Sequence, residues 1–199
     1  DNFRDCDIYF YLTESSNWKE FQQCFKANSE AIKSLKGKVL FGEDETPNPL
    51  IIENLNGVRT ISDAGEPRQN GYYNQWLSLL KCKDFMVFDV DSLFSYDYVI
   101  RIRPDIMFKS PVSPEMVNLE GITVPDDHGY GGINDRFAVC SQKNMVKYCN
   151  FFKSDQFSDP NLCLNSEGRL QSYLNSLNIP IYKINAKNQV ANSDGSFRY

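Results

Sequence analysis

Arg101, Arg103 and Asp105 occupy every second position of the stretch 96–109, YDYVIRIRPDIMFK. Side chains alternate along a strand, so this spacing turns all three toward one side. Val99, Ile100 and Ile102 between them are β-formers in a run too short for a helix. Pro104 has no N–H for a ladder, and the paired segment should end there. The expected element is a buried strand that carries two guanidiniums and a carboxylate to one edge of a sheet. Open α/β sheets take up ligands at such an edge. The guanidinium fork matches phosphate oxygens, and a carboxylate suits Mg²⁺ or Mn²⁺. Together they suit a diphosphate–metal complex. The competing reading is an internal Arg–Asp ion pair that fixes the strand end.

A second group lies in residues 126–135, DDHGYGGIND. Gly129, Gly131 and Gly132 let backbone come close to a ligand. Asp126, Asp127, His128, Asn134 and Asp135 surround them, and the competing reading is a long surface loop. His128 is the only histidine, which leaves little material for a histidine metal cluster or a Ser–His pair. Glu167 falls in the first turn of an expected helix, as a reactive acid or as a charge favoured by the helix dipole. A literal Asp-x-Asp stands at Asp89-Val90-Asp91. It precedes the central strand, so it reads as a loop or cap and a rival metal site.

The elements that position these groups follow from periodicity. Residues 7–12 form an expected first strand, apolar enough to be buried on both faces. Trp18, Phe21, Phe25, Ile32 and Leu35 recur at helical spacing, from a capping sequence at Asn17 and Glu20 to a stop at Gly37. Val39–Phe41 is a short strand, completing a β–α–β pattern. Residues 42–57 read as mostly loop, and 58–61 as a further short strand. Residues 62–71 read as a polar, mobile loop and candidate lid, in which Arg68 is either a phosphate contact or a solvated surface residue. Tyr72–Lys81 is a second, well-buried helix, and Phe85–Phe88 an apolar run. Strands are expected at 122–124, 136–140 and 179–184. A helix capped by Ser141 should run to about Lys153, and another from Ser166 to Leu177. Residues 154–164 read as a polar connection, and those after 184 as a tail or closing loop.

The 199 residues suffice for one sizeable core. Two halves, at about 1–110 and about 111–199, would make one domain. The net charge of −5 and the lack of any basic stripe argue against a nucleic-acid partner. No apolar run approaches the 18 residues or so of a membrane helix. The six cysteines include no C-x-x-C pair, so a zinc site is unsupported and reduced thiols in an intracellular compartment are expected. The start at Asp1 rather than Met fits a domain excised from a longer protein.

Three motifs resemble those of nucleotide-sugar-dependent glycosyltransferases of the GT-A type. Tyr96–Asp105 is similar to the strand of a group of small transferases in which the final Asp ends the Asp-x-Asp metal motif. His128–Asp135 with Arg136-Phe137-Ala138-Val139 resembles an "NDxFA" segment lining the sugar side of the pocket. Ser166-Glu167-Gly168 resembles an acidic motif that opens a late helix. The nearest likeness is to glycosyltransferase domains encoded by large algal (chlorella) viruses. One departure is clear: Arg103 stands where Asp-x-Asp has its first acid.

The resemblance implies a GT-A like α/β domain, a Rossmann-like mixed sheet flanked by helices. It implies hexosyl or deoxyhexosyl transfer from a nucleoside diphosphate sugar, a UDP-sugar by the habit of that group, to a glycan or glycoprotein acceptor. Leu12 and Thr13 would contact the base. Asp105 would hold Mn²⁺ or Mg²⁺ on the diphosphate, helped by Arg101 or Arg103. Gly131, Gly132 and Asp135 would hold the sugar. An inverting enzyme needs a general base, with Asp126, Asp127, His128 and Glu167 as candidates, and a retaining one needs another arrangement. A viral enzyme of this kind would work in the host cytoplasm. A non-catalytic nucleotide- or carbohydrate-binding module is the alternative. A nucleotidyltransferase ranks lower, since Thr13-Glu14-Ser15-Ser16 lacks the glycines of a phosphate loop.

Overall fold

The structure, a computed structural model, describes residues 7–13, 37–42, 69–89, 96–103, 106–159, 161–162, 165–191 and 197–198. The expected helix 17–35 and strand 58–61, together with Arg68, Asp91 and Asp105, lie outside them.

Strands β1 (Ile8–Thr13) and β2 (Gly37–Gly42) pair in parallel, Ile8 opposite Gly37 and Thr13 opposite Gly42. Helix α1 (Gln69–Asp89) packs on β1. The Tyr9 ring meets Phe85 edge-on at 5.4 Å, and the Cys82 thiol donates to the Tyr9 carbonyl. Tyr72, Tyr73, Trp76, Leu77 and Leu80 are buried at the i, i+4 spacing of one helix face.

This helix is longer than its apolar stripe suggests. No glycine or proline interrupts residues 72–89, so nothing stops it at Lys81. It takes in Gln69–Gly71 from the expected loop, the apolar run Phe85–Phe88, and Asp89 of the literal Asp-x-Asp. Phe88 is 94% exposed on its last turn.

The central sheet has four strands, in the order β3 (Val99–Ile102), β6 (Phe137–Cys140), β5 (Ile122–Pro125) and β7 (Ile181–Ile184). β6 runs antiparallel to both neighbours, and β5 runs parallel to β7. The protein is thus an α/β fold with a mixed sheet flanked by helices. A second, antiparallel sheet joins β4 (Ile106–Phe108), β8 (Asn188–Ala191) and β9 (Phe197–Arg198). The sequence reading placed no strands there.

Alternation on β6 separates two cores. Ala138 and Cys140 face a helical layer with Ile122, Val124, Trp76 and Tyr148. Phe137 and Val139 face the other way, toward Ile106, Phe108 and Ile184. The helical layer is α1, α2 (Gln142–Cys149) and α4 (Ser166–Ser176). A 3₁₀ turn (Asn150–Lys153) and the short helix α3 (Asp155–Ser158) complete it, the latter inside the expected connection. Ser141 caps α2, accepting from the Asn144 N–H as its position suggests, whereas Asn165 rather than Ser166 caps α4.

The register corrects one expectation. Arg101 pairs with Ala138, so its side chain enters the helical layer, while Ile100 and Ile102 pair with Val139 and Phe137 on the other face. Arg101 is buried, and Ile100 and Ile102 are 38% and 53% exposed. Among the described residues β3 has β6 as its one partner in this sheet, and Ile100 and Ile102 are not enclosed as a buried strand requires.

Trp76 is fully buried between Tyr148 and Phe151, at ring separations of 5.6 and 4.8 Å. Trp76→Ala removes the largest side chain of the core and is expected to cost about 3–5 kcal/mol. A urea midpoint unchanged from wild type would contradict this packing.

Candidate functional site

The register brings one set of strand ends together. Ile102 ends β3 opposite Phe137, where β6 begins, and the Arg103 N–H donates to the Arg136 carbonyl at 3.0 Å. β5 ends at Pro125 on the same side, and the Asp126 N–H continues its ladder to the Ile184 carbonyl. The carboxyl ends of β3, β5 and β7 therefore share an edge with the loop 126–136. In an α/β sheet this is the edge at which ligands bind.

Two carboxamides and a carboxylate hold the loop in shape. The Asn134 Nδ2 donates to the Asp127 carbonyl at 2.9 Å and to its Oδ1 at 3.0 Å. Asn188 of β8 donates its Nδ2 to Asp127 Oδ1 and its backbone N–H to Oδ2, both at 3.0 Å. Asn134 Oδ1 accepts the Arg136 N–H at 2.8 Å. Asp127, expected as a candidate base, is thus engaged by three donors and acts as the loop's anchor. Asp126 is exposed and pairs with Lys183 at 3.1 Å, so it turns away from the loop's interior. His128 sits 3.8 Å from Asp127 Oδ2, and its Nδ1 lies 3.2 Å from the Tyr130 hydroxyl.

The loop is also clasped to the start of α4. A Cβ on Gly132 would lie 2.1 Å from the Glu167 carbonyl carbon, so only glycine permits this approach. The Ile133 N–H donates to the Glu167 carbonyl, and Asn165 bridges the two segments. Its Nδ2 donates to the Tyr130 carbonyl, and its Oδ1 accepts the Gly168 N–H. His128, Tyr130 and Gly131 take positive φ angles of 51°, 42° and 91°. The two without a glycine's freedom cost on the order of 1 kcal/mol or more each.

Within this clasp two acids approach one another. Asp135 is 8% exposed, and Gln75 of α1 donates its Nε2 to the Asp135 Oδ2 at 2.7 Å. Glu167 is half-buried and accepts the Ser166 hydroxyl at 2.6 Å. Burial pushes the Glu167 carboxyl above its usual range, and the Asp135 charge adds to the rise against the Ser166 bond and Arg136. Arg101 enters from β3, 7% exposed, with its Nη1 lacking a hydrogen-bond partner among the described residues. The competing reading, an internal Arg–Asp ion pair at the strand end, turns on Asp105, which lies outside the described residues.

Of the expected site residues, the structure gathers Asp127, His128, Gly131, Gly132, Asp135 and Glu167 around one loop. Arg101 lies beneath it, and Arg103 is half-buried at the adjoining strand end. Leu12 and Thr13 end β1, and their side chains are not described. Gln75, Asn165 and Asn188 were not singled out, because amides carry no charge pattern. Among the described residues no three acidic, histidine or cysteine side chains gather as a metal site. Asp127 is already saturated with donors, so these residues alone do not fit a cation.

The chain belongs to the family described as a domain of unknown function (DUF7796), whose family model matches residues 47–190. That span holds α1, the central sheet and the whole loop-and-helix clasp. No curated protein matches the chain.

Two outcomes follow from the clasp. Gly132→Ala must push the loop off α4 and is expected to cost about 1–3 kcal/mol, read as a fall in the urea midpoint. Glu167 binds its proton more tightly in the folded chain than in the unfolded one. Its contribution is therefore whole below the unfolded carboxyl's range and is lost as pH rises through the folded value. Glu167→Gln cannot ionise, so it should be more stable than wild type at about pH 8, an advantage that shrinks toward about pH 4. A pH-independent difference would show that Glu167 is not held in this environment.

Proposed function

We propose that this chain is a glycosyltransferase of the GT-A type. It would move a hexosyl or deoxyhexosyl group from a nucleoside diphosphate sugar, most simply a UDP-sugar, to a glycan acceptor. The observation that carries the reading is the clasp at the carboxyl edge of the mixed sheet, which places the segment of Asp135 against that of Glu167. Asp135 is a hydrogen-bonded acid suited to accept a sugar hydroxyl. Glu167 is an acid whose proton affinity is raised by its surroundings, which makes its carboxylate a stronger base.

The geometry sorts the four candidate bases. Asp126 is exposed on Lys183, Asp127 is consumed by the loop, and His128 is its neighbour in that anchor. That favours Glu167 as the group for proton transfer in the proposed reaction. In an inverting course its carboxylate takes the proton of the acceptor hydroxyl. The acceptor oxygen then bonds to the anomeric carbon. The bond from that carbon to the diphosphate oxygen breaks, and the diphosphate leaves with the electron pair. Arg101 and Arg103 carry positive charge at the strand end where that charge develops. The close Gly132–Glu167 contact excludes water from one side of the pair.

A divalent cation remains part of the proposal through Asp105. Bound there, Mn²⁺ or Mg²⁺ would neutralise the diphosphate, and no step above is routed through it. A non-catalytic nucleotide- or sugar-binding module is the second reading, favoured by Arg103 in place of the first acid of Asp-x-Asp.

Calorimetric titration with UDP and a panel of UDP-sugars, with Mn²⁺ and then with EDTA, tests the proposal. Metal-dependent binding is expected, abolished in Asp105→Ala with the fold intact. Asp135→Asn should weaken UDP-sugar binding about ten-fold more than UDP binding. Binding of a UDP-sugar without turnover would select the binding module, and no nucleotide binding by the folded protein would end the transferase reading. Loss in Asp89→Ala or Asp91→Ala instead of Asp105→Ala would move the metal site.

A further inference from the structure

Buried carboxylates are costly unless something donates to them. Among the described residues one side chain donates to Asp135, and it comes from a different element: Gln75 of α1, through Nε2 to Oδ2 at 2.7 Å. An ionised carboxylate has no proton to give, so the amide must face it with its nitrogen. The Asp135 Oδ1 receives no hydrogen bond from the described residues, yet it is not among the sealed, unpartnered atoms of the core. One oxygen of Asp135 is therefore held and the other is open.

Gln75 is half-buried at the flank of the core face of α1, with buried Tyr72 and half-buried Ser78 and Leu79 as its neighbours on the helix. The surroundings of Asp135 are crowded with groups that respond to its charge. Tyr72 of α1, Tyr148 of α2 and Glu167 of α4 each feel that charge, which adds to the rise that burial gives their pKa values. Arg136 follows it in sequence, with Arg101 of β3 acting on Tyr148 and Arg169 of α4 on Tyr72. Asp127 and His128 belong to the same loop, where Asp127 is taken up by Asn134 and Asn188 and His128 lies beside it. None of these donates a hydrogen bond to Asp135.

We infer that Gln75 is a positioning residue that fixes Asp135 with Oδ1 turned toward a hydroxyl of the bound sugar. The inference rests on the glycosyltransferase reading and deepens it, by making sugar recognition depend on a residue of the helical core rather than of the loop. Gln75 would not touch the sugar. It acts by holding the carboxylate in one rotamer through the bond to Oδ2.

The test compares Gln75→Met, which removes the donor at similar volume, with Gln75→Glu, which retains it only while the new carboxyl is protonated. Titrations with UDP and with the UDP-sugar that binds wild type best are made from about pH 5 to about pH 8, a span that covers a carboxyl raised by a like-charged neighbour. Gln75→Met is expected to lose about ten-fold in UDP-sugar affinity across the range while UDP affinity holds. Gln75→Glu should approach wild type at the acid end, where its carboxyl donates to Asp135. It should fall to or below Gln75→Met at the alkaline end, where two carboxylates face each other. A purely structural glutamine would give no such pH-dependent rescue.

Thermal unfolding of both variants over the same pH range reads the contact without ligand. Gln75→Glu should lose stability relative to Gln75→Met as pH rises. Parallel pH curves for the two variants, in binding or in unfolding, overturn the role of Gln75 and leave the transferase reading standing. A wild-type protein that binds no nucleotide sugar overturns both.

Discussion

The close approach of Gly132 to the backbone of Glu167 is the constraint on which the candidate site depends. A loop and a helix start are brought together with no room for a side chain between them. Everything reactive in the site is carried by one of these two segments or leans on them. The Asn165 side chain, the Ile133 N–H and the Gly168 N–H then complete the hydrogen bonding that such a contact would otherwise leave unmet. Loop residues are usually the movable part of a site. Here they are fastened on one side to α4 and on the other, through Asp127 and Asn188, to β8. The loop of the candidate site is thus held between two elements that both lie well beyond it in sequence.

The same layer shows how buried charge is tolerated. Arg169 of α4 is fully buried, and its guanidinium donates to the backbone carbonyls of Gln156, Phe157 and Leu162. It binds the segment around α3 to the first turns of α4 by satisfying carbonyls that a short helix leaves open. Arg101 is the contrast. It is equally enclosed, but no carbonyl or acid among the described residues takes its Nη1. One arginine serves the fold through its hydrogen bonds, and the other brings positive charge to the strand end.

Much of this was legible in the sequence because it was written in periodicity and punctuation. The strands at 122–125 and 137–140, the Ser141 cap and the helix from Ser166 follow from apolar runs and polar stops. The glycine-rich loop and Glu167 stood out by residue type. What escaped was set by long-range partners. The strand Ile106–Phe108 exists because residues 188–190 pair with it, and three residues after a proline give no local signal of that. Arg101 faces the helices because of its register with Ala138, which no window of the sequence contains. The role of Asp127 was misjudged for the same reason. An acid in a glycine loop looks reactive until the amide opposite it is known.

The left-handed backbone at His128 and Tyr130 has a consequence for how this segment can change over generations. A β-branched residue at either position would clash with its own backbone, whatever space surrounds the side chain. Drift there is confined to glycine, asparagine, aspartate and the few residues that tolerate the twist. Drift at Gly132 is barred outright by the helix against it. The backbone of the segment therefore narrows what can replace these three residues before any ligand is considered.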